Sequence, residues 1–285
     1  MNSLNISDRL KKVANCVKKD SFVADIGCDH AYTAIYLVKN KIAKKVIAMD
    51  INKGPLEKAK SNICNNRLED YIETRLSDGG KELKKGEVNT ILISGMGGRL
   101  TTKILDDSLD VVRECRQLVL QPQSEIYLVR EYIAKIGFRI EYEDMFIDEG
   151  KYYVIINALK EDNTDNNSTN EFNDDNKTVN ISSNIEKINN KVNNYKNNDE
   201  NNIIATNSEN AKSDNRKLFD LYGEFLLKNK NETLYEFLNN GLEKKEDILE
   251  KLLSNEKSAI KNSDRIKEIK KELQLIREGL KYYEL

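Results

Sequence analysis

The sequence predicts an α/β fold: a mostly parallel sheet with helices on both faces, an antiparallel hairpin at one edge, and a helical appendage. Three observations carry this. Residues 1–160 alternate short, β-branched apolar runs with amphipathic stretches, the pattern of strands covered by helices. The last two runs of that region are joined by Asp148-Glu149-Gly150 alone, too short for a parallel crossover, so they pair antiparallel. After Lys217, apolar residues recur at spacings of three and four, which is helical and not sheet periodicity.

Each element follows in order. Strands are expected at Ser21 to Gly27, Lys45 to Asp50, Ile72 to Ser77, Thr90 to Ser94 and Gln117 to Gln121, with helices between them at Ala31 to Asn40, Pro55 to Asn66, Arg99 to Ser108 and Ser124 to Ile136. Gly137 stops the last of these helices, and two longer strands follow near Phe138 to Asp148 and Tyr152 to Leu159. From Glu161 to Asn215 the composition collapses, with 19 asparagines in 55 positions and little apolar periodicity. Such a segment cannot bury enough surface to fold alone and is expected to be a disordered insertion, residues 161–215. Beyond it, Leu238, Leu242, Leu249 and Leu252 form one stripe interrupted by Lys245, and Ile266, Ile269, Leu273, Ile276 and Leu280 form a heptad seam. Asn262 or Ser263 caps the second helix. The expected organisation is therefore 1–160, a ligand-binding α/β domain; 161–215, the insertion; and 216–285, a helical coiled-coil domain folded as an antiparallel hairpin.

Composition excludes several classes. Hydrophobic residues at 39%, charged residues at 33% and only two prolines describe a soluble, helix-rich chain. No apolar run of membrane-spanning length or secretory signal is read, so a cytoplasmic protein without a membrane partner is expected. Four scattered cysteines and one histidine suggest neither a zinc site nor a disulfide framework, and no metal is expected. The formal net charge of −2 conceals a split: residues 161–215 hold 5 basic against 11 acidic groups, whereas 1–160 hold 26 against 23 and 216–285 hold 15 against 14. The mildly basic flanks permit binding to nucleic acid.

The chemistry-bearing residues sit where strands end. Phe22-Val-Ala-Asp25-Ile-Gly27-Cys-Asp29-His30 reads as a strand turning through Gly27 into a helix, whose amide-rich N-terminus suits a carboxylate. A nicotinamide fingerprint needs further glycines where this turn has Asp29 and Tyr32, so dehydrogenase chemistry is disfavoured. Asp50 ends the next strand, placed to accept both hydroxyls of a ribose, with Ile51 as an apolar face for a base. Asp78-Gly79 follows the third strand and can accept an exocyclic amine. A lone Asp after a strand is often only a turn former. Three such residues on successive strand ends, at the edge where these folds bind ligands, make a nucleoside pocket. Gly95, Gly97 and Gly98 around Met96 bring backbone close to a bulky neighbour, and Gln121-Pro122 adds polar groups at the rim.

Ser7-Asp8-Arg9-Leu10, Asp25 to Tyr32, Ser94 to Gly98, Leu120 to Pro122, Asp148 to Tyr153 and Leu221 to Leu227, in this order, resemble the bacterial tRNA adenine-22 N1-methyltransferase family. The resemblance covers nearly all of the chain outside 161–215. That family more often has Gly-Pro at the start of its helical arm, so Glu224 is a departure, as is the insertion. The resemblance implies a Rossmann-like methyltransferase sheet followed by a coiled-coil arm, S-adenosylmethionine as cofactor, and tRNA as substrate for a monomeric enzyme. For that reaction the residues are expected to take these roles: Asp29 stabilising the cationic methylated ring, with His30 and Tyr32 orienting or stacking; Asp25, Gly27, Asp50, Ile51, Asp78, Gly79, Gly95 and Met96 at the cofactor; Arg9, Gly97, Gly98, Gln121 and Pro122 at the tRNA. Methyltransferases acting on the adenine amino group usually carry Asn-Pro-Pro-Tyr where this chain has Ser94-Gly-Met-Gly, which favours a ring nitrogen. The rival classes are a methyltransferase for a small molecule or protein, and a non-catalytic RNA- or cofactor-binding module.

Overall fold

The computed structural model describes residues 6–161, 215–254 and 260–284. The expected Asn-rich insertion lies outside the described residues except at its two ends. The contacts divide the chain into two units, one made of Met1–Glu161 with Leu218–Leu285, the other of Asp162–Lys217, most of which is not described.

In the first unit a seven-stranded sheet is built from β1 (Ser21–Ile26), β2 (Ala43–Asp50), β3 (Ile72–Leu76), β4 (Thr90–Met96), β5 (Gln117–Pro122), β6 (Phe138–Asp148) and β7 (Lys151–Lys160). Its order is β3-β2-β1-β4-β5-β7-β6. The first five strands are parallel, and β7 inserts antiparallel between β5 and β6, as the short hairpin connection requires. Asp148 pairs with Lys151, so Glu149 and Gly150 form a two-residue loop, and both take positive φ, 48° and 74°, matching strand twist. All six residues of β5 are buried, because helices cover both faces of a parallel sheet.

On one face lie α1 (Asp8–Asn15), α2 (Tyr32–Lys39) and α3 (Lys53–Asn65), packed on Val23, Ala48, Leu92 and Val119. α1 is an addition to the expected elements. Its signal is present in hindsight: Ser7 caps it, accepting the N–H of Leu10, and Val13, Ala14 and Val17 turn inward. On the other face lie α4 (Gly98–Asp107), α5 (Leu109–Val112) and α6 (Ile126–Lys135).

Within the same unit, that second face is also covered by helical residues 218–222, α7 (Glu224–Lys228), α8 (Glu232–Leu253) and α9 (Ser263–Leu280). α8 and α9 run antiparallel: Lys245 pairs with Glu272, Glu246 with Arg277, and Gly279 lies under Leu238. Leu218, Leu226, Leu227, Leu234, Leu238 and Ile276 belong to the same apolar cluster as Ile91, Leu118 and Ile156 of the sheet, so the root of the arm is part of the central core. Each such side chain contributes ~1.5–3 kcal/mol by burial. A buried ion pair fixes the junction. Arg130 donates Nε to Glu143 Oε1 at 2.8 Å and Nη1 to the carbonyls of Asp220 and Leu221 at 2.8 and 3.0 Å. Gly223 (φ +86°) passes so close that a Cβ there would stand 2.5 Å from Glu143 Oε2. Further out, Leu249 and Leu252 are only half-buried, and Lys245, which interrupts their stripe, is held between the helices by Glu272.

Candidate functional site

The strand order reverses between β1 and β4, and a cavity of about 500 Å³ opens at their C-terminal ends, the place where such sheets bind ligands. Its floor is the turn after β1. The N–H groups of Gly27 and Cys28 both donate to Met49 O, at 2.8 and 2.9 Å. Gly27 has φ +77°, a conformation that strains any L side chain, and a Cβ there would lie 2.3 Å from Met96 Cε, so the Met96 side chain would have to swing aside. Asp29 and Ala31 also take left-handed conformations, φ 49° and 60°, before α2 begins. Two non-glycine residues held that way store backbone strain beside the cavity.

Four carboxylates line the cavity: Asp25, Asp29, Asp50 and Asp78. Asp25 is buried, and its Oδ2 has no hydrogen-bond partner. Burial pushes its pKa up to about 7, opposed by the hydrogen bond from the Ala34 backbone. Asp50 Oδ1 accepts the N–H of Asn52 at 2.8 Å. Asp78 is half-exposed and bonded to Lys81, which also reaches Asp107 at 3.4 Å. Asp29 is 73% exposed, with His30 Nε2 3.4 Å away. Ile51, Leu100 and Ile104 supply apolar lining.

The cavity's cation is Arg9, on α1. Its Nη1 donates to Gln121 Oε1 at 2.6 Å and to Ser94 Oγ at 3.1 Å, and its guanidinium lies 5.4 Å from the centre of the Tyr153 ring. Every one of these partners is neutral. Gln121 is fully buried and its Nε2 has no partner.

The structure brings together Arg9, Asp25, Gly27, Asp29, Tyr32, Asp50, Ile51, Asp78, Gly79, Gly95 and Met96 around one cavity. The other five expected residues stand behind its wall. His30 meets the edge of Tyr32 at 5.6 Å, and its carbonyl accepts Asn62 Nδ2. Gly97 precedes α4 and accepts the N–H of Thr101, while a Cβ on Gly98 would lie 2.4 Å from Glu125 O. The last glycine is thus required by packing of α4 on residues 124–125. Gln121 reaches the cavity only through Arg9, and Pro122 ends the pairing with Met96. Sequence reasoning missed Ser77, Ser94, Leu100, Ile104 and Gln123 as lining. Leu100 carried a signal, a large apolar residue two positions after the glycine turn that stays 49% exposed. Among the described residues no cluster of three potential metal ligands occurs.

A pocket with an unpartnered buried carboxylate oxygen, a second carboxylate at a strand end and apolar walls fits a ligand that carries both positive charge and a nucleoside, as S-adenosylmethionine does. Residues 6–156 match the family described as a methyltransferase domain. The tRNA (adenine(22)-N(1))-methyltransferase of Bacillus subtilis is 37% identical over 158 residues, which are 55% of this chain and 66% of that relative, just under two thirds of its length. The crystal structure of the B. subtilis m1A22 tRNA methyltransferase superposes with a TM-score of 0.70 at 26% identity, covering 98% of this chain and 100% of that one. A putative tRNA (m1A22) methyltransferase from Streptococcus pneumoniae gives a TM-score of 0.71 at 25% identity, covering 96% and 99%.

Proposed function

Because this chain belongs to the methyltransferase-domain family, we propose that it methylates N1 of adenine 22 in tRNA, with S-adenosylmethionine as methyl donor. The observation that carries the reading is the 37% identity to the B. subtilis enzyme of that activity. The cavity's chemistry supports it independently.

S-adenosylmethionine supplies an electrophilic methyl group on a sulfonium. Asp50 would accept the ribose hydroxyls, Ile51 would give the cofactor's adenine an apolar face and Asp78 would take its amine; Asp25 would offer its free oxygen to the ammonium of the amino-acid end. Adenine N1 is unprotonated near neutral pH and needs no general base, so in-line positioning provides most of the rate. Transfer would form the N1–methyl bond as the sulfur–methyl bond breaks, leaving the positive charge on the adenine ring. Asp29, exposed at the cavity mouth, stabilises that developing charge, and Tyr32 lines the same wall. Arg9 holds the RNA side of the pocket, supported from behind by Gln121.

In this reading residues 1–160 bind the cofactor and perform transfer, 161–215 act as a spacer, and 216–285 grip the folded tRNA. The target adenine reaches the cavity either by leaving its stack or from a loosened tRNA. The protein works as a monomer in the cytoplasm, without a metal; among the described residues no helix is long and apolar enough to cross a membrane. Incubation of the full chain with methyl-labelled S-adenosylmethionine and unmodified tRNA, followed by nuclease mapping, tests the assignment. Label at N1 of adenine 22 is expected, and label confined to protein or small molecules overturns it.

A further inference from the structure

We propose that Asp144 is a positioning residue that ties the helix carrying Arg9 to the root of the helical arm, so that seating of the arm sets the guanidinium at the cavity. This rests on the function above, in which the arm meets tRNA and Arg9 faces the target nucleotide.

Asp144 lies on the outer strand β6 and joins two elements distant in sequence. Its Oδ2 accepts Lys12 Nζ of α1 at 3.0 Å, and its Oδ1 accepts Asn231 Nδ2 at 3.3 Å. Asn231 is the N-cap of α8: its Oδ1 accepts the N–H of Leu234 at 2.9 Å. Its carbonyl accepts the Tyr283 hydroxyl at 2.9 Å, so one residue holds both ends of the arm. On the other side, Lys12 stands one turn after Arg9, and its ammonium lies 4.6 Å over the Phe146 ring. Phe146 stacks on Tyr153 at 6.0 Å, and Tyr153 underlies Arg9 at 5.4 Å. The neighbouring Tyr152 points to the opposite face of β7, donates to Glu236 of α8 at 2.8 Å and accepts from Asn240 at 3.0 Å. The hairpin edge is therefore held by the arm on one face and carries Arg9's support on the other, and Asp144 links the two around the strand.

The arrangement has a chemical purpose. Arg9 has no carboxylate partner among the described residues, and its Nη1 acceptors are neutral, so its direction depends on where α1 and Tyr153 sit. Asp144 and Lys12 are 21% and 49% exposed, so their bond is worth ~1 kcal/mol or less, about a five-fold rate effect if all of it is realised in positioning.

A double-mutant cycle on the full chain tests this. Single-turnover transfer to unmodified tRNA at saturating S-adenosylmethionine is compared for wild type, Asp144→Ala, Arg9→Ala and the double variant. Asp144→Ala should slow transfer about two- to five-fold beside Arg9 and less than two-fold once Arg9 is gone. Amide exchange over residues 8–16 should quicken in Asp144→Ala, a readout that needs neither tRNA nor turnover. Equal losses in both backgrounds, no loss in either, or unchanged exchange over 8–16 each overturn the proposal. Failure of the wild type to label tRNA, with exchange behaving as stated, would instead count against the function.

Discussion

Asp50 ends β2 with Oδ1 accepting the N–H of Asn52, an arrangement that fixes the carboxylate at the cavity wall. Asp50→Ala should weaken S-adenosylmethionine binding by ~1.5–3 kcal/mol, the range for charge-assisted hydrogen bonds to two hydroxyls. Titration calorimetry on correctly folded protein reads this directly, and an unchanged dissociation constant removes Asp50 from the site. Asp25 gives a different signature. Its folded pKa is raised to about 7 from 3.8, so the stability that goes with its protonated form is full below about pH 4 and is lost as pH rises through 7. Asp25→Asn, which keeps an acceptor for the Ala34 N–H, should therefore raise the melting temperature of the ligand-free protein at pH 8 by roughly 4 °C or more and change it little at pH 4. An equal shift at both pH values would mean that the buried carboxyl is not the cause. At this scale the strand-end acids were legible in the sequence, because each lies at or within three residues of the end of a strand that the spacing predicts. The support of Arg9 by Ser94 and Gln121 was not, since those contacts span 85 and 112 residues and nothing local announces them.

Among the elements, the junction between sheet and arm depends on one glycine. Gly223→Ala should destabilise the protein by about 2 kcal/mol or more, because φ is positive and the added methyl meets the buried Arg130–Glu143 pair. Gly241→Ala on α8, where the nearest atom to a Cβ is Ile276 Cδ1 at 3.6 Å, should instead stabilise by ~0.5–1 kcal/mol. Chemical denaturation separates the two, and comparable effects would contradict the packing account. The arm's function is best tested by shortening and not removal. Truncation at residue 216 would strip Leu218, Leu226 and Leu234 from the central core. Replacing residues 246–271 by a short glycine turn between Lys245 and Glu272 keeps that core and removes Lys251, Lys261, Lys267, Lys270 and Lys271. If these contact tRNA phosphates, tRNA binding should weaken about ten-fold and its salt dependence flatten, with cofactor binding unchanged. Equal affinities and slopes would leave the arm as a structural appendage. Strand and helix spacing made the sheet and the two long helices legible, to within one to three residues at most ends. The fusion of the arm's root with the sheet's core was not legible, because stripes on α8 and α9 show that a face is apolar without naming what covers it.

For the molecule as a whole, the sheet's switch point, the acid-lined cavity and the neutral-backed Arg9 converge on one small volume, while the arm extends from the far face of the same core. Composition could not reveal this convergence: a net charge of −2 gives no hint that four carboxylates and one guanidinium share a cavity. The proposed transfer depends on one atom, N1 of adenine 22, whose lone pair takes the methyl group. Two tRNA transcripts differing only at that atom test it most directly, one with adenosine at position 22 and one with 1-deazaadenosine, each incubated with the full chain and labelled S-adenosylmethionine. Stoichiometric label is expected on the first and none on the second, with similar binding of both. Equal labelling of the two would place the methyl group elsewhere and contradict it.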